Sequence, residues 1–419
     1  MRPESYRPIT LLPSVSKLFE RLLLKHLTPY LTPRSEQFGF RAEHSTTLQL
    51  SRVLHHMAVN LNKKEHTVAV FLDMEKAFDR VWHSGLLHKL IAREVPRRLV
   101  TVLHSFLKDR RFQVRVEGVL SETHLIEAGV PQGSCLSPAC YAAYTDDIPT
   151  PEGAILALYA DDAAYMTASF KVHHAVTKMQ RILDELPPWI AKWRLAVNVQ
   201  KTQALLVSKT NALPETALTL KGQPISWSRT AKYLGVIIDR RLTMAPHTKE
   251  VVNKTRAARA LLRPVMKAKL TLKTKTTLYK TYIRPHLTYA APAWYALIAE
   301  TNRRKLRQQQ SAALREVAAA PRFVRNTTIS RDLKVEDLSV FLTGLAKAMF
   351  ARADSSSYEH LKDIAPTHDR APRSRRYPRE LCTAEEGDEE GTRGEEAEEG
   401  DDHPSPRLRL SSGNAEDGS

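Results

Sequence analysis

Cysteine is scarce in this chain. Only Cys135, Cys140 and Cys382 occur among 419 residues, and none stands in Cys-x-x-Cys spacing. That argues against a disulfide framework and against a zinc knuckle. Long hydrophobic runs are missing as well, since no stretch approaches the ~20 apolar residues that a membrane span requires. The opening Met1-Arg2-Pro3-Glu4-Ser5-Tyr6-Arg7-Pro8 has no apolar core of a secretory signal. No internal repeat is present. These absences predict an intracellular protein of the nucleus or cytoplasm, with no targeting signal and no membrane partner. Acid is also absent where it would be expected. Between Val251 and Ala299 there is none, while Lys254, Arg256, Arg259, Arg263, Lys267, Lys269, Lys273, Lys275, Lys280 and Arg284 supply ten cations.

What is present fits a basic globular protein of two or three domains, 42% hydrophobic and 26% charged, with a formal net charge of +17. Such a charge points to a polyanionic partner. It is unevenly spread. Residues 385–402 hold eleven acids against the single Arg393, a net of −10, so the remainder carries +27. A run of charge is usually a solvated face, but the lack of compensating acid in 251–299 favours binding to a nucleic-acid backbone. Tyr279, Tyr282, Tyr289, Trp294 and Tyr295 interleave with those cations and are expected to pack helices rather than stack bases.

Periodicity predicts a helix from Ser14 to Leu31, a strand at 66–73, and a helix from about Ser84 to Ala92. A half-buried strand is expected from Phe112 to Gly118. A glycine-bearing loop, Ala128 to Gly133, then leads into a helix at about 136–144. One helical face runs from Val172 to Trp193, interrupted near Pro187-Pro188. Short strands are expected at 203–207, 217–221 and 232–238, followed by basic helices to about Ala320. Beyond Ser355 the chain is charged and rich in proline and glycine, a composition expected to stay disordered. Hairpins mixed with helices imply an α+β fold.

The run Leu158-Tyr159-Ala160-Asp161-Asp162-Ala163-Ala164-Tyr165-Met166 sets two adjacent acids between β-prone apolar runs. It predicts a hairpin whose tight turn holds up a pair of carboxylates. Taken alone, an Asp-Asp pair is more often a hydrophilic turn. A third acid ends a similar run, Val68-Ala69-Val70-Phe71-Leu72-Asp73. Charge beside buried strands is costly unless it is paired. Hard cations such as Mg²⁺ take a few carboxylate oxygens and leave positions open for substrate phosphates. An apolar strand that ends in aspartate, twice, suits two-metal phosphoryl transfer.

The blocks Tyr6-Arg7-Pro8-Ile9-Thr10-Leu11-Leu12-Pro13, Phe38-Gly39-Phe40-Arg41, Phe71 to Asp79, Gly129 to Ser134, Tyr159-Ala160-Asp161-Asp162, Asn198 to Thr202 and Tyr233-Leu234-Gly235 occur in that order. In wording and sequence they resemble the reverse transcriptases of non-LTR retrotransposons, the jockey-like elements in particular, over roughly residues 1–350. The resemblance implies a right-hand polymerase. Fingers and palm would occupy 1–240 and a basic helical thumb and connection 241–350, with the low-complexity tail over 351–419. It implies an RNA-directed DNA polymerase that extends a primer 3′-end, using an RNA template, a DNA primer, deoxynucleoside triphosphates and Mg²⁺, or Mn²⁺ in its place. The oligomeric state stays open.

The same resemblance assigns roles. Asp73, Asp161 and Asp162 would be the catalytic, metal-ligating carboxylates. Lys201 would stand near the leaving pyrophosphate as a general acid, although a loop lysine is ordinarily just solvated. Arg7 would contact the incoming triphosphate, and Arg41 would steady template or nucleotide; the guanidinium fork suits both tasks. Phe78, five residues after Asp73, would be the steric gate against a ribose 2′-hydroxyl, the ordinary alternative being a core aromatic. Gln132 and Gly133 would meet the nucleotide in a loop whose backbone N–H groups suit phosphates. Tyr233, Leu234 and Gly235 would form the primer grip. Asp79 is expected to be a helix N-terminal charge and not a ligand. The resemblance also implies fingers sequence and an endonuclease before the first block, so a truncated open reading frame is expected. Two other readings compete: a decayed or domesticated nucleic-acid-binding remnant, which should have lost one of the three acids, and a metal nuclease, which would not need Phe78, Gln132 and Tyr233-Leu234-Gly235 together.

Overall fold

The computed structural model describes residues 9–210, 213–372 and 374–383. Its centre is a five-stranded sheet in the order Trp227–Ser228, Gln203–Val207, His66–Asp73, Asp162–Ser169, Ile155–Tyr159. The His66–Asp73 strand runs antiparallel to both of its neighbours, and only the short Trp227–Ser228 strand is parallel to its partner. Six of the eight residues in His66–Asp73 are buried, because both faces of the sheet are covered. Val68, Val70 and Leu72 face a core built with the Val172–Lys192 helix. Ala69 and Phe71 face a second core built with the Thr46–Asn62 helix. Alternate side chains of one strand thus serve two different layers.

The Thr46–Asn62 helix escaped the periodicity reading. Ser45 caps it, its hydroxyl accepting from the Leu48 amide at 3.1 Å. The Val172–Lys192 helix runs unbroken through Pro187 and Pro188, contrary to the expected interruption. A proline inside a helix costs about 3 kcal/mol or more. Here Leu186, Trp189 and Ile190 are all buried around the two prolines, and that burial offsets the lost backbone bonds. The strand expected from Phe112 to Gly118 is reduced to two-residue ladders, Arg111–Phe112 with His124–Leu125 and Arg115–Val116 with Val119–Leu120. Their residues are exposed, so no core extends them.

The boundary expected at 240/241 does not coincide with a gap between cores. The core around the Thr46–Asn62 helix also takes in Trp294, Tyr295, Leu338 and Leu342. A smaller core, with Met266, Tyr279, Ile283, Leu314 and Val317, belongs to the later helices alone. Tyr279, Trp294 and Tyr295 are buried as packing residues, whereas Tyr282 and Tyr289 stay exposed.

The expectation of disorder from 351 onward needs correction up to Thr383. The segment has few large apolar residues, but Leu361, Ile364, Tyr377 and Leu381 are all buried in the core around the Thr46–Asn62 helix. Polar contacts fix it further. The Arg370 guanidinium forks onto Glu380 at 2.6 and 2.8 Å, and Asn62 exchanges hydrogen bonds with the Arg375 backbone at 2.9 Å in both directions. Residues 384–419 lie outside the described residues.

Candidate active site

Asp73 is the last residue of its strand, and the antiparallel register sets it directly opposite Asp162. Its strand mates Ala69 and Phe71, and those of Asp162, Ala164 and Met166, line the same core, so the two carboxylates leave the sheet end on one face. Asp161 lies in the two-residue turn between Tyr159 and Asp162, which are themselves paired. Like charges set opposite one another on a sheet repel, a cost that a bound cation would remove. The donor set is three carboxylates, hard oxygen ligands of the kind that Mg²⁺ and Mn²⁺ take. Among the described residues no three His, Cys, Asp or Glu side chains are gathered closely enough to hold an ion as they stand. The chemistry of the donors fits a divalent cation, and the register brings two of them together.

The turn owes its shape to residues 36–39, which dock beside it. Leu158 donates to Glu36 O at 3.0 Å, and Phe38 donates to Leu158 O at 2.9 Å. The buried Gln37 side chain then grips the turn. Its Oε1 accepts from the Gly39 amide at 2.7 Å and from the Ala160 amide at 2.9 Å, and its Nε2 donates to Ala160 O at 3.3 Å. Ala160 is left-handed, with φ of 57°, a conformation disfavoured for a residue with a Cβ. The Gln37 amide supplies the local compensation.

The start of the Asn198–Thr202 turn is hooked to the backbone at Asp73. Asn198 donates to Asp73 O at 2.8 Å, and Glu75 donates to Ala196 O at 2.8 Å. The turn carries Lys201 on the surface, its backbone amide donating to Asn198 Oδ1 at 3.1 Å. The glycine-bearing loop docks just beyond Asp73: Val130 donates to Phe78 O and Gly129 to Val81 O, each at 2.8 Å. A Cβ on Gly129, at φ +95°, would stand 2.8 Å from Asp79 O. Asp79 does not cap a helix; its Oδ1 accepts from Gln132 Nε2 at 2.9 Å, which fixes the orientation of that amide. Much of this loop's backbone is therefore spent on protein acceptors. Among the described residues, the amides of Gln132 and Gly133 have none. A cavity of about 340 Å³ opens beside them, lined in part by Asp79, Arg110, Phe112 and Gln132.

Phe78 is half-buried and stacks on Tyr141, with ring centroids 4.8 Å apart, while Phe40 meets it edge-on at 6.0 Å. Burial, reinforced by the Asp161 and Asp162 carboxylates, pushes the pKa of the Tyr141 hydroxyl up, so that phenol stays protonated beside the pair. Tyr233 lies on the other side. It packs on Phe71 at 5.2 Å, and burial together with Asp162 raises its pKa as well. Leu234 and Gly235, at φ 44° and 81°, form the two-residue turn of the Thr230–Tyr233/Val236–Asp239 hairpin. The Tyr289 hydroxyl donates to Leu234 O at 3.0 Å, and its ring leaves no room for a Cβ on Gly235.

Two expected contacts fare differently. Arg7 lies outside the described residues. Arg41 turns into the protein, where its Nη1 donates to Arg34 O at 3.0 Å and its guanidinium stacks over Tyr358 at 4.5 Å. Sequence reasoning missed Gln37 and Tyr141. Gln37 sits one residue before a quoted block, and Tyr141 reads as ordinary helix. It also missed Glu20, a buried carboxylate of the Ser14–Leu27 helix that accepts from the Ser134 hydroxyl at 2.7 Å and the Cys135 amide at 3.0 Å. That anchors the start of the Ser137–Thr145 helix, which carries Tyr141.

Comparison with known proteins identifies the family. The profile of a family described as "Reverse transcriptase (RNA-dependent DNA polymerase)" matches residues 2–238. The "Probable RNA-directed DNA polymerase from transposon BS" of Drosophila melanogaster is 39% identical over 348 residues, covering 80% of this chain and 38% of that protein. The "RNA-directed DNA polymerase from mobile element jockey" of Drosophila funebris is 38% identical over 389 residues, covering 89% and 42%. A solved telomerase of Candida tropicalis, in complex with a fragment of telomeric RNA, superposes with a TM-score of 0.41 at 13% identity, covering 84% of this chain and 53% of that one. The chain thus spans about two fifths of the length of those two curated relatives. With more than half of its residues inside the family profile, the chain belongs to the reverse transcriptase family.

Proposed function

We propose that this chain is the polymerase portion of a non-LTR retrotransposon protein and extends a primer 3′-end along an RNA template. One observation carries the reading: the register that sets Asp73 opposite Asp162, with Asp161 in the adjoining turn. Asp73, Asp161 and Asp162 would hold the divalent cations. When bound, these would lower the pKa of the primer hydroxyl and neutralise charge on the leaving pyrophosphate.

The protein's own groups do the rest. Gln37 keeps the turn that carries Asp161 in one shape. The amides of Gln132 and Gly133, without acceptors among the described residues, offer donors to the nucleotide, and the Gln132 side chain is held back by Asp79. Phe78, backed by Tyr141, forms the wall against which a ribose 2′-hydroxyl would press. Lys201 can reach out from a turn tied to Asp73 and give a proton to the departing pyrophosphate. The Tyr233-Leu234-Gly235 hairpin, backed by Tyr289, would seat the primer terminus. Arg41 is left out of the nucleotide contacts because Arg34, Gln37 and Tyr358 already engage its guanidinium.

The test is Asp161→Asn. Asparagine keeps the shape of the turn and loses the charge, so primer extension should fall by at least about a hundredfold while template–primer affinity stays nearly unchanged. A variant that kept a tenth of the wild-type rate would overturn the assignment.

A further inference from the structure

A second charged site lies away from the carboxylates. The Glu300–Ala318 helix buries Leu306, Gln310, Ala313, Leu314 and Val317 on one face. On the other, Arg304, Arg307, Gln308 and Arg315 recur at helical spacing. Together with Arg322 and Asn326 from the segment that follows, they line a cavity of about 610 Å³. At 1.5 Å of rise per residue, Arg304 and Arg315 lie about 16 Å apart along the axis, so this is a groove of guanidinium groups and not a single-ion pocket. Arg315 is also its structural staple, donating to Val324 O at 2.9 Å and Asn326 Oδ1 at 2.7 Å. Arg307 pairs with Glu300 at the rim. Arg304 and Arg322 are exposed.

The segment that precedes the chain's densest acid packs near the start of the arginine-bearing helix. Pro378–Cys382 forms a 3-10 turn that packs against Tyr295–Leu297, and the arginine-bearing helix starts three residues after Leu297. Glu385 follows the last described residue, Thr383, by two positions and opens the stretch of eleven acids. A chain spans at most about 3.3–3.6 Å per residue, so eighteen residues starting there have length to spare for a 16 Å groove. Carboxylates pair bidentately with guanidinium forks, and a tethered ligand acts at an effective concentration of about millimolar.

We propose that the acidic stretch 385–402 docks in the Arg304–Arg307–Arg315–Arg322 groove of its own chain and competes there with nucleic-acid phosphates. The docking stands on the groove and the charges alone; the competition rests on the polymerase reading above.

The experiment uses the full chain in three forms: wild type, a tail variant with the eleven acids of 385–402 replaced by Gln or Asn, and that variant carrying Arg304→Gln and Arg322→Gln as well. The probes are a fluorescein-labelled synthetic peptide of residues 384–403 and a labelled RNA–DNA duplex, both read by anisotropy. The peptide should bind the tail variant at least tenfold more tightly than wild type, and the two groove substitutions should remove that gain. Unlabelled duplex should displace the peptide. Equal peptide affinity for wild type and tail variant would overturn the proposal, as would indifference to the groove substitutions. So would a groove whose loss weakens only the duplex, which would make it a nucleic-acid subsite. Peptide binding does not require primer extension, so failure of the polymerase reading would appear separately, as absent activity with docking intact.

Discussion

Gly39 and Ala160 approach so closely that a Cβ on Gly39 would stand 2.2 Å from the Ala160 amide nitrogen. The carboxylate turn is therefore pressed against a second turn with no space for a methyl group, and Gln37 bonds both residues across the contact.

Gln37→Met keeps the volume and removes three hydrogen bonds, leaving the Gly39 and Ala160 amides without their acceptor. An unsatisfied buried donor costs about 1–3 kcal/mol. Displacement of a catalytic group by about 1 Å can cost on the order of a hundredfold in rate. Primer-extension kcat should fall ten- to a hundredfold with duplex Kd unchanged. Gln37→Glu, which keeps an acceptor for both amides, should recover part of the loss. A kcat within threefold of wild type for Gln37→Met would show that the turn holds its shape unaided.

Phe78→Ala should relax discrimination between ribose and deoxyribose, because it removes the wall and leaves Tyr141 behind it. The comparison is kcat/KM for rUTP against dTTP in both proteins. An unchanged ratio in a normally folded variant would return Phe78 to a packing role beside Tyr141.

The cations of 251–299 are not equivalent. Arg259, unopposed in the sequence, pairs with Glu316 of the Glu300–Ala318 helix at 2.6 Å and is mostly buried, and Lys254 pairs with Glu250 at 3.3 Å. Arg256, Arg263 and Lys267 are exposed. Replacing these three with Gln should flatten the dependence of log Kd on log salt by one to three units, at about one per phosphate contact. Arg259→Gln should leave the slope alone and lower the melting temperature instead. Anisotropy of a labelled duplex across a salt series separates the two outcomes.

His247 supplies a test by pH. It is buried against Trp294 at 4.7 Å, and its Nδ1 accepts from the Ile237 amide at 3.3 Å. Burial first, then the Lys254 charge, holds its pKa down to about 4 from the ordinary 6.5. Between those values the unfolded chain binds the proton and the folded chain does not. Stability thus rises with pH across that window and is lost as pH falls from 6.5 towards 4. His55 and His56 are lowered in the same way, mainly by burial, and steepen the loss. Urea midpoints for His247→Gln over pH 4–7 should show a shallower slope than wild type, by roughly one proton. Parallel curves would mean that His247 keeps its charge in the fold.

The hairpin at 155–169 and the strand at 66–73 were legible because an apolar run ending in acid has few other readings, and the structure sets Asp73 across from Asp162 as that pattern demands. The carriers of the site were less legible. Gln37 is one glutamine among many until the fold brings Ala160 beside it, 123 residues later. Glu20 looks like a surface charge until Ser134 and Cys135 fold over it. Periodicity reports which face of a helix is apolar, not which partner will cover it. The apparent breaks at Pro187-Pro188 and beyond Ser355 misled for the same reason, since packing from distant residues sustains both segments.

The strap formed by residues 356–382 joins partners far apart in synthesis. Tyr377 lies 5.4 Å from His55 and shares Asn62 with Arg375. His360 meets His44 at 2.8 Å. The Thr46–Asn62 helix leaves the ribosome long before the segment that packs on its flank, with Arg375 translated 313 residues after Asn62. Contacts of such span make folding slow, and they leave apolar surface exposed while translation continues. A nascent chain arrested at Asp354 should therefore leave the flank of the Thr46–Asn62 helix around His55 and Asn62 uncovered, a site for chaperones, until the strap arrives to close it.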